Sequence, residues 1–75
     1  MKQKIFSQFI LLHGEVYKLQ TYQLFNLKNL LFYFCYNQNL VVLEYNAKIF
    51  PSKNWSIKKL KDSDKIETIT IVGGG

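Results

Sequence analysis

Leu27, Leu30, Leu31 and Phe34 stand at i, i+3, i+4 and i+7, the spacing that puts apolar side chains on one face of a helix. Asn26 just before them is a candidate N-cap, with Thr21 an earlier one if the helix begins sooner, and Asn37-Gln38-Asn39 supplies a polar stop. A helix of about ten residues is marginal in water by itself. The stripe must therefore lie on something, and the rest of the chain offers only strand-like runs. One short helix that needs a sheet to cover is the tightest constraint in the sequence.

The runs are easily placed. Phe9-Ile10-Leu11-Leu12 and Glu15-Val16-Tyr17-Lys18-Leu19-Gln20 flank His13-Gly14, a two-residue junction that reads as a hairpin turn with glycine at positive φ. Leu40–Tyr45 is a third strand, apolar enough for an interior position. Asn46-Ala47-Lys48 turns the chain into a short run, Ile49-Phe50, closed by Pro51. Pro51–Trp55 reads as a turn or short irregular helix anchored by Trp55, and Asp62-Ser63-Asp64 as a turn by composition. Ile66-Glu67-Thr68-Ile69-Thr70-Ile71-Val72 alternates β-branched residues and predicts a last strand. A hairpin, one crossover helix and a returning strand give an α+β fold: a mixed sheet with the helix on one face, close to the β-grasp arrangement. We expect one domain over residues 1–75, with 73–75 as a flexible tail.

Composition narrows the function. At 75 residues the core is near the lower limit for independent folding, where about 60% of the unfolded surface can be buried. Cys35 is the lone cysteine, so no internal disulfide supports the fold; it borders the apolar helix face and reads as packing. The net charge of +5 rests on ten lysines and no arginine, which weakens a nucleic-acid reading, because bidentate contacts favour the guanidinium fork. Lys58, Lys59 and Lys61 read as a solvated basic face. The richness in Lys, Asn, Ile, Phe and Tyr suggests AT-rich coding, and with it a plastid stroma or a bacterial cytoplasm. No apolar run approaches the roughly 20 residues of a membrane span. The start resembles a signal peptide superficially, but Ser7-Gln8 interrupts its apolar stretch and no small-residue cleavage site follows.

Catalytic constellations are missing from the pattern. His13 is most simply a turn residue, with no neighbouring carboxylate or cysteine in sequence to make a metal or catalytic pair. No phosphate-cradling glycine loop, metal-ligand cluster or nucleophile–base set is legible. Phe32, Tyr33 and Tyr36 fall off the apolar helix face and are either a partner surface or a by-product of AT-rich coding. What remains is Gly73-Gly74-Gly75, a thread without Cβ atoms that could carry a carboxylate into a channel too narrow for side chains.

Several segments together resemble the ThiS family, the ubiquitin-like sulfur carriers of thiamine biosynthesis. Glu44-Tyr45-Asn46 followed by Ile49-Phe50-Pro51, Trp55 four residues past the proline, Leu60 to Glu67 around Asp62-Ser63-Asp64, and Ile71-Val72-Gly73-Gly74-Gly75 match its second half in order. Leu12-His13-Gly14-Glu15 resembles its hairpin. Ser63 replaces a turn glycine and would be strained at positive φ; residues 1 to about 7 exceed the usual start and take no assigned role.

The resemblance implies a carrier rather than an enzyme. Gly75 would be adenylated by a ThiF-like enzyme using ATP and Mg²⁺, with no cofactor bound by the chain itself. Sulfur from a cysteine desulfurase route would make the thiocarboxylate, and thiazole synthase (ThiG-like) would receive it. Gly73 and Gly74 would thread the partner's channel. The alternatives are the small subunit of molybdopterin synthase, a lysine-attached ubiquitin-like modifier and, from another class, a small basic RNA-binding domain.

Overall fold

The computed structural model describes residues 4–71. The elements run β1 (Phe6–Leu12), β2 (Glu15–Thr21), α1 (Leu27–Tyr33), β3 (Val41–Tyr45), β4 (Lys48–Ile49), a 3-10 turn (Ser52–Asn54) and β5 (Asp64–Thr70). They form one sheet in the order β2-β1-β5-β3-β4, so the last strand inserts at the centre, parallel to β1 and antiparallel to β3. This is the β-grasp fold that the order of runs predicts.

The helix begins as expected and ends earlier. Asn26 caps it: its Oδ1 accepts from Asn29 N–H at 2.7 Å, and Asn29 Oδ1 accepts from Asn26 N–H at 3.0 Å. This is a reciprocal capping box in which asparagine takes the place usual for Glu or Gln. Thr21 ends β2 instead, its hydroxyl donating to the Gln23 carbonyl. At the other end the helix stops at Tyr33, with Phe34 as C-cap and Cys35 at φ 62°. Cys35 N–H donates to Phe32 C=O at 3.0 Å and Tyr36 N–H to Leu31 C=O at 2.9 Å, the bond pair of a left-handed Schellman stop. Glycine is the usual residue there. Cys35 is therefore not core packing but exposed, a correction whose cause is backbone geometry.

The core lies between α1 and one face of the sheet. Leu27, Leu30 and Leu31 pack on Ile10 and Leu12 (β1), Leu19 (β2), Val41, Leu43 and Tyr45 (β3) and Ile66 (β5), with Trp55 and Leu60 closing one side. Burying each such aliphatic side chain stabilises the fold by about 1.5–3 kcal/mol. Trp55 is the loop anchor expected of it: it is buried, and its Nε1–H donates to Phe50 C=O at 2.8 Å.

Two further expectations shift. β1 starts at Phe6, because Phe6 and Ser7 continue the ladder opposite Thr21 and Gln20, and Gln8 reaches Leu60 C=O with its amide. Residues 6 and 7 thus have a structural role; residues 1–3 lie outside the described part. The basic face is also not uniform, since Lys58 Nζ sits 5.1 Å from the Tyr45 ring centroid and buried Leu60 interrupts the lysines.

Candidate functional site

The candidate site is the end of β5, because the chain runs from there into Val72, itself outside the described residues, and the three glycines. Gly73, Gly74 and Gly75, the residues the sequence singles out, lie outside the described residues. The structure places their root. Ile71 N–H donates to Leu40 C=O at 2.6 Å, which ties the exit point to the residue before β3. Beside it is the β1–β2 turn, where His13 and Gly14 both have positive φ, 54° and 78°, as a type I′ turn requires. His13 N–H donates to Ile66 C=O at 3.1 Å, and His13 Nε2 shares a 2.8 Å hydrogen bond with Thr68 Oγ1. The His13 ring also lies 6.4 Å from that of Tyr36. The turn residue of the sequence reading is thus a brace between β1, β5 and the helix end.

The opposite end of β5 is closed by carboxylates that composition marked only as turn formers. Asp64 is 3% exposed, and its Oδ2 accepts from Tyr45 O–H at 2.6 Å and from Lys61 N–H at 2.7 Å. Asn46 Nδ2 donates to its other oxygen at 3.4 Å. Asp62 Oδ1 accepts from Phe9 N–H at 2.6 Å, and Ser63 N–H donates to Phe9 C=O. Burial first, and then the bond to Asp64, hold the Tyr45 hydroxyl above the usual phenol range. Ser63 does take positive φ, 70°, and so carries the strain expected of it. These contacts clamp β5 at its start, whereas at Ile71 the bond to Leu40 holds it on the β3 side.

The off-face aromatics divide. Phe32 (79%) and Tyr33 (60%) are exposed, whereas Tyr36 is held by the helix stop and packs against the core. With Phe25, Asn29, Cys35 and Asn37 they line an open groove of about 710 Å³ on the outer side of the helix. Among the described residues, no group of three or more His, Cys, Asp or Glu side chains is placed to hold a metal ion.

By fold the chain is a small β-grasp domain whose central strand is followed in sequence by three glycines. A family model described as the ThiS family matches residues 5–75, and the chain belongs to that family. The match begins at residue 5, so residues 5–7, expected to lie beyond the family's usual start, fall within it. The fold is similar to that of the thiamine biosynthesis protein (ThiS) from Geobacter metallireducens, with a TM-score of 0.78 at 22% identity over 91% of this chain and 100% of that one. Two proteins described as "Uncharacterized protein ycf40" are similar in sequence. The one from Trieres chinensis is 47% identical over 85% of each chain, and the one from Porphyra purpurea 38% identical over 67% of this chain and 70% of the other.

Proposed function

We propose that this protein is the sulfur carrier of thiazole formation in thiamine biosynthesis, with Gly75 as the sulfur-bearing residue. Family membership supports the sulfur-carrier role. One observation carries the reading of the tail as the reacting end, namely where the chain places glycine. Five turn positions at positive φ (His13, Cys35, Asn46, Ala47 and Ser63) hold residues with a Cβ, at a cost of about 1–2 kcal/mol for a residue not suited to that region. Of the four glycines, three stand together in the tail. A chain so sparing with glycine at its turns, yet with three in a row after its last strand in sequence, supports a passage too narrow for side chains.

A C-terminal carboxyl group has a pKa of about 3.3–3.7 and is an unreactive anion at neutral pH. Activation therefore comes from outside. An adenylating enzyme joins the carboxylate oxygen to the α-phosphorus of ATP and releases pyrophosphate. The terminal sulfur of a persulfide charged by a cysteine desulfurase then displaces AMP to give an acyl disulfide. A thiol reductant cleaves its S–S bond, leaving a disulfide on the sulfur donor and releasing the thiocarboxylate, the nucleophile that thiazole synthase takes. The chain is a co-substrate in each step. The relatives that bear the name ycf40, from Trieres chinensis, Porphyra purpurea and Pyropia yezoensis, support a plastid location.

Intact-protein mass spectrometry tests this. After incubation with a ThiF-type enzyme, ATP and a sulfur donor, the chain should gain the mass of one oxygen-to-sulfur exchange, localised to Gly75. An unchanged mass would sink the proposal. Capture by thiazole synthase rather than by the large subunit of molybdopterin synthase separates the two carrier pathways.

A further inference from the structure

Among the described residues, the register of β5 leaves part of the central strand without a neighbour on its β1 side. Its pairing with β1 ends at Leu12 opposite Ile66, and the turn bond from His13 N–H to Ile66 C=O closes that ladder. Its pairing with β3 continues to Thr70 opposite Val41, and on to the bond from Ile71 to Leu40. Backbone groups alternate sides along a strand. Asn46 N–H to Lys65 C=O and Ile71 N–H to Leu40 C=O show that the odd-numbered residues face β3. Thr68 and Thr70 therefore turn their N–H and C=O groups the other way, past the His13-Gly14 turn, where the described residues provide no backbone partner. Neither proline nor lysine, the residues that commonly blunt such edges, occurs among Thr68–Ile71.

We propose that this stretch, Thr68–Ile71, is a strand-addition site. Its occupant is an extended backbone segment of the enzyme that activates the tail, which pairs with the outward N–H and C=O groups of Thr68 and Thr70. The inference rests on the reading of Gly75 as the reacting residue. Four residues beyond Ile71 span at most about 14 Å. An enzyme holding the Gly75 carboxylate consequently lies against this end of the sheet, and the free edge is continuous with the tail it must hold extended. Main-chain pairing supplies affinity and direction without demanding particular side chains.

Hydrogen exchange of the isotope-labelled chain, alone and with a ThiF-type enzyme, tests it. The Thr68 and Thr70 amides should exchange fast in the free chain and at least about tenfold more slowly in the complex, whereas Ile69, already paired with β3, should change little. A second measurement replaces the Ile69–Thr70 amide with an ester, which removes the outward Thr70 N–H and also weakens the Ile69 C=O on the β3 side. KM for the chain in adenylation should rise about three- to tenfold, the worth of one net hydrogen bond, with kcat unchanged and only a small fall in melting temperature from the weakened bond to β3. If the tail is adenylated normally while both amides stay unprotected and the ester is silent, strand addition is overturned and the carrier reading stands. If the wild-type chain is neither bound nor adenylated, the carrier reading falls and this site with it. Protection that rises with the concentration of the free chain would assign the edge to a second copy and overturn the proposal.

Discussion

The two ends of β5 are opposites. At its start, Asp64 is buried beneath donors from Tyr45, Asn46 and Lys61, and Asp62 fastens the same loop to β1. At its finish, the backbone groups of Thr68 and Thr70 face outward beside an exposed Ile71, and among the described residues only the β3 side is paired. A polar group taken out of water costs about 1–3 kcal/mol unless partnered, so the start is satisfied internally and rigid. The finish keeps its polar groups in reach of water or of another chain. The contrast teaches that one strand can be anchored at its root and offered at its tip.

The sharpest test separates the ends by what they affect. Gly74→Trp, or removal of Gly75, should abolish adenylation, a loss of more than about 100-fold, because misplacing the reacting atoms by even 1 Å costs that much. The urea midpoint should not move. At the root the expectation reverses. Asp64→Ala leaves buried donors unpaired and should destabilise by about 3 kcal/mol in urea denaturation, with adenylation of the folded fraction retained. Should Asp64→Ala impair adenylation while the protein is fully folded, the separation of roles is wrong.

Tyr45→Phe is a milder form of the same break, expected to cost about 1–2 kcal/mol through the lost hydrogen bond to Asp64. It also carries a pH signature. Burial favours the neutral phenol, so the folded chain keeps a proton that the unfolded chain loses at about pH 10. This contribution is complete below about pH 10 and is lost as pH rises beyond it toward the raised folded value. Stability curves from pH 8 to 11 should show that the alkaline loss is smaller in the Tyr45→Phe variant. The smallest effects have the opposite sign. Ala47→Gly and Ser63→Gly relieve φ values of 72° and 70° and should each stabilise by about 0.5–1 kcal/mol, which raises the melting temperature by several degrees. Neither should touch adenylation.

Features legible in the sequence are those set by neighbours along the chain. The helix face of Leu27, Leu30 and Leu31, the His13-Gly14 hairpin, the Trp55 anchor and the strand leading to the glycines all follow from periodicity or turn chemistry within a few residues. The helix end was hidden, because Cys35 occupies a position whose usual marker is glycine. So was the difference between Asp62 and Asp64. Composition sees two turn-forming carboxylates, whereas one reaches across to β1 and the other is buried under Tyr45.

Alone, then, the sequence determined the alternation of elements, the apolar face that needs a sheet, and the clustering of glycine at one end, since each depends on local steric preference or on hydrophobic spacing. Tertiary structure decided how far β5 overruns β1, which backbone groups that leaves outward, and which polar side chains are buried. Those depend on register between segments more than fifty residues apart, such as Ile10 opposite Asp64. A slip of one residue would turn every side chain of β5 to the other face. Packing Ile66 beneath the helix and Asp64 beneath Tyr45 forbids that slip, and in doing so it fixes Thr68 and Thr70 at the open edge.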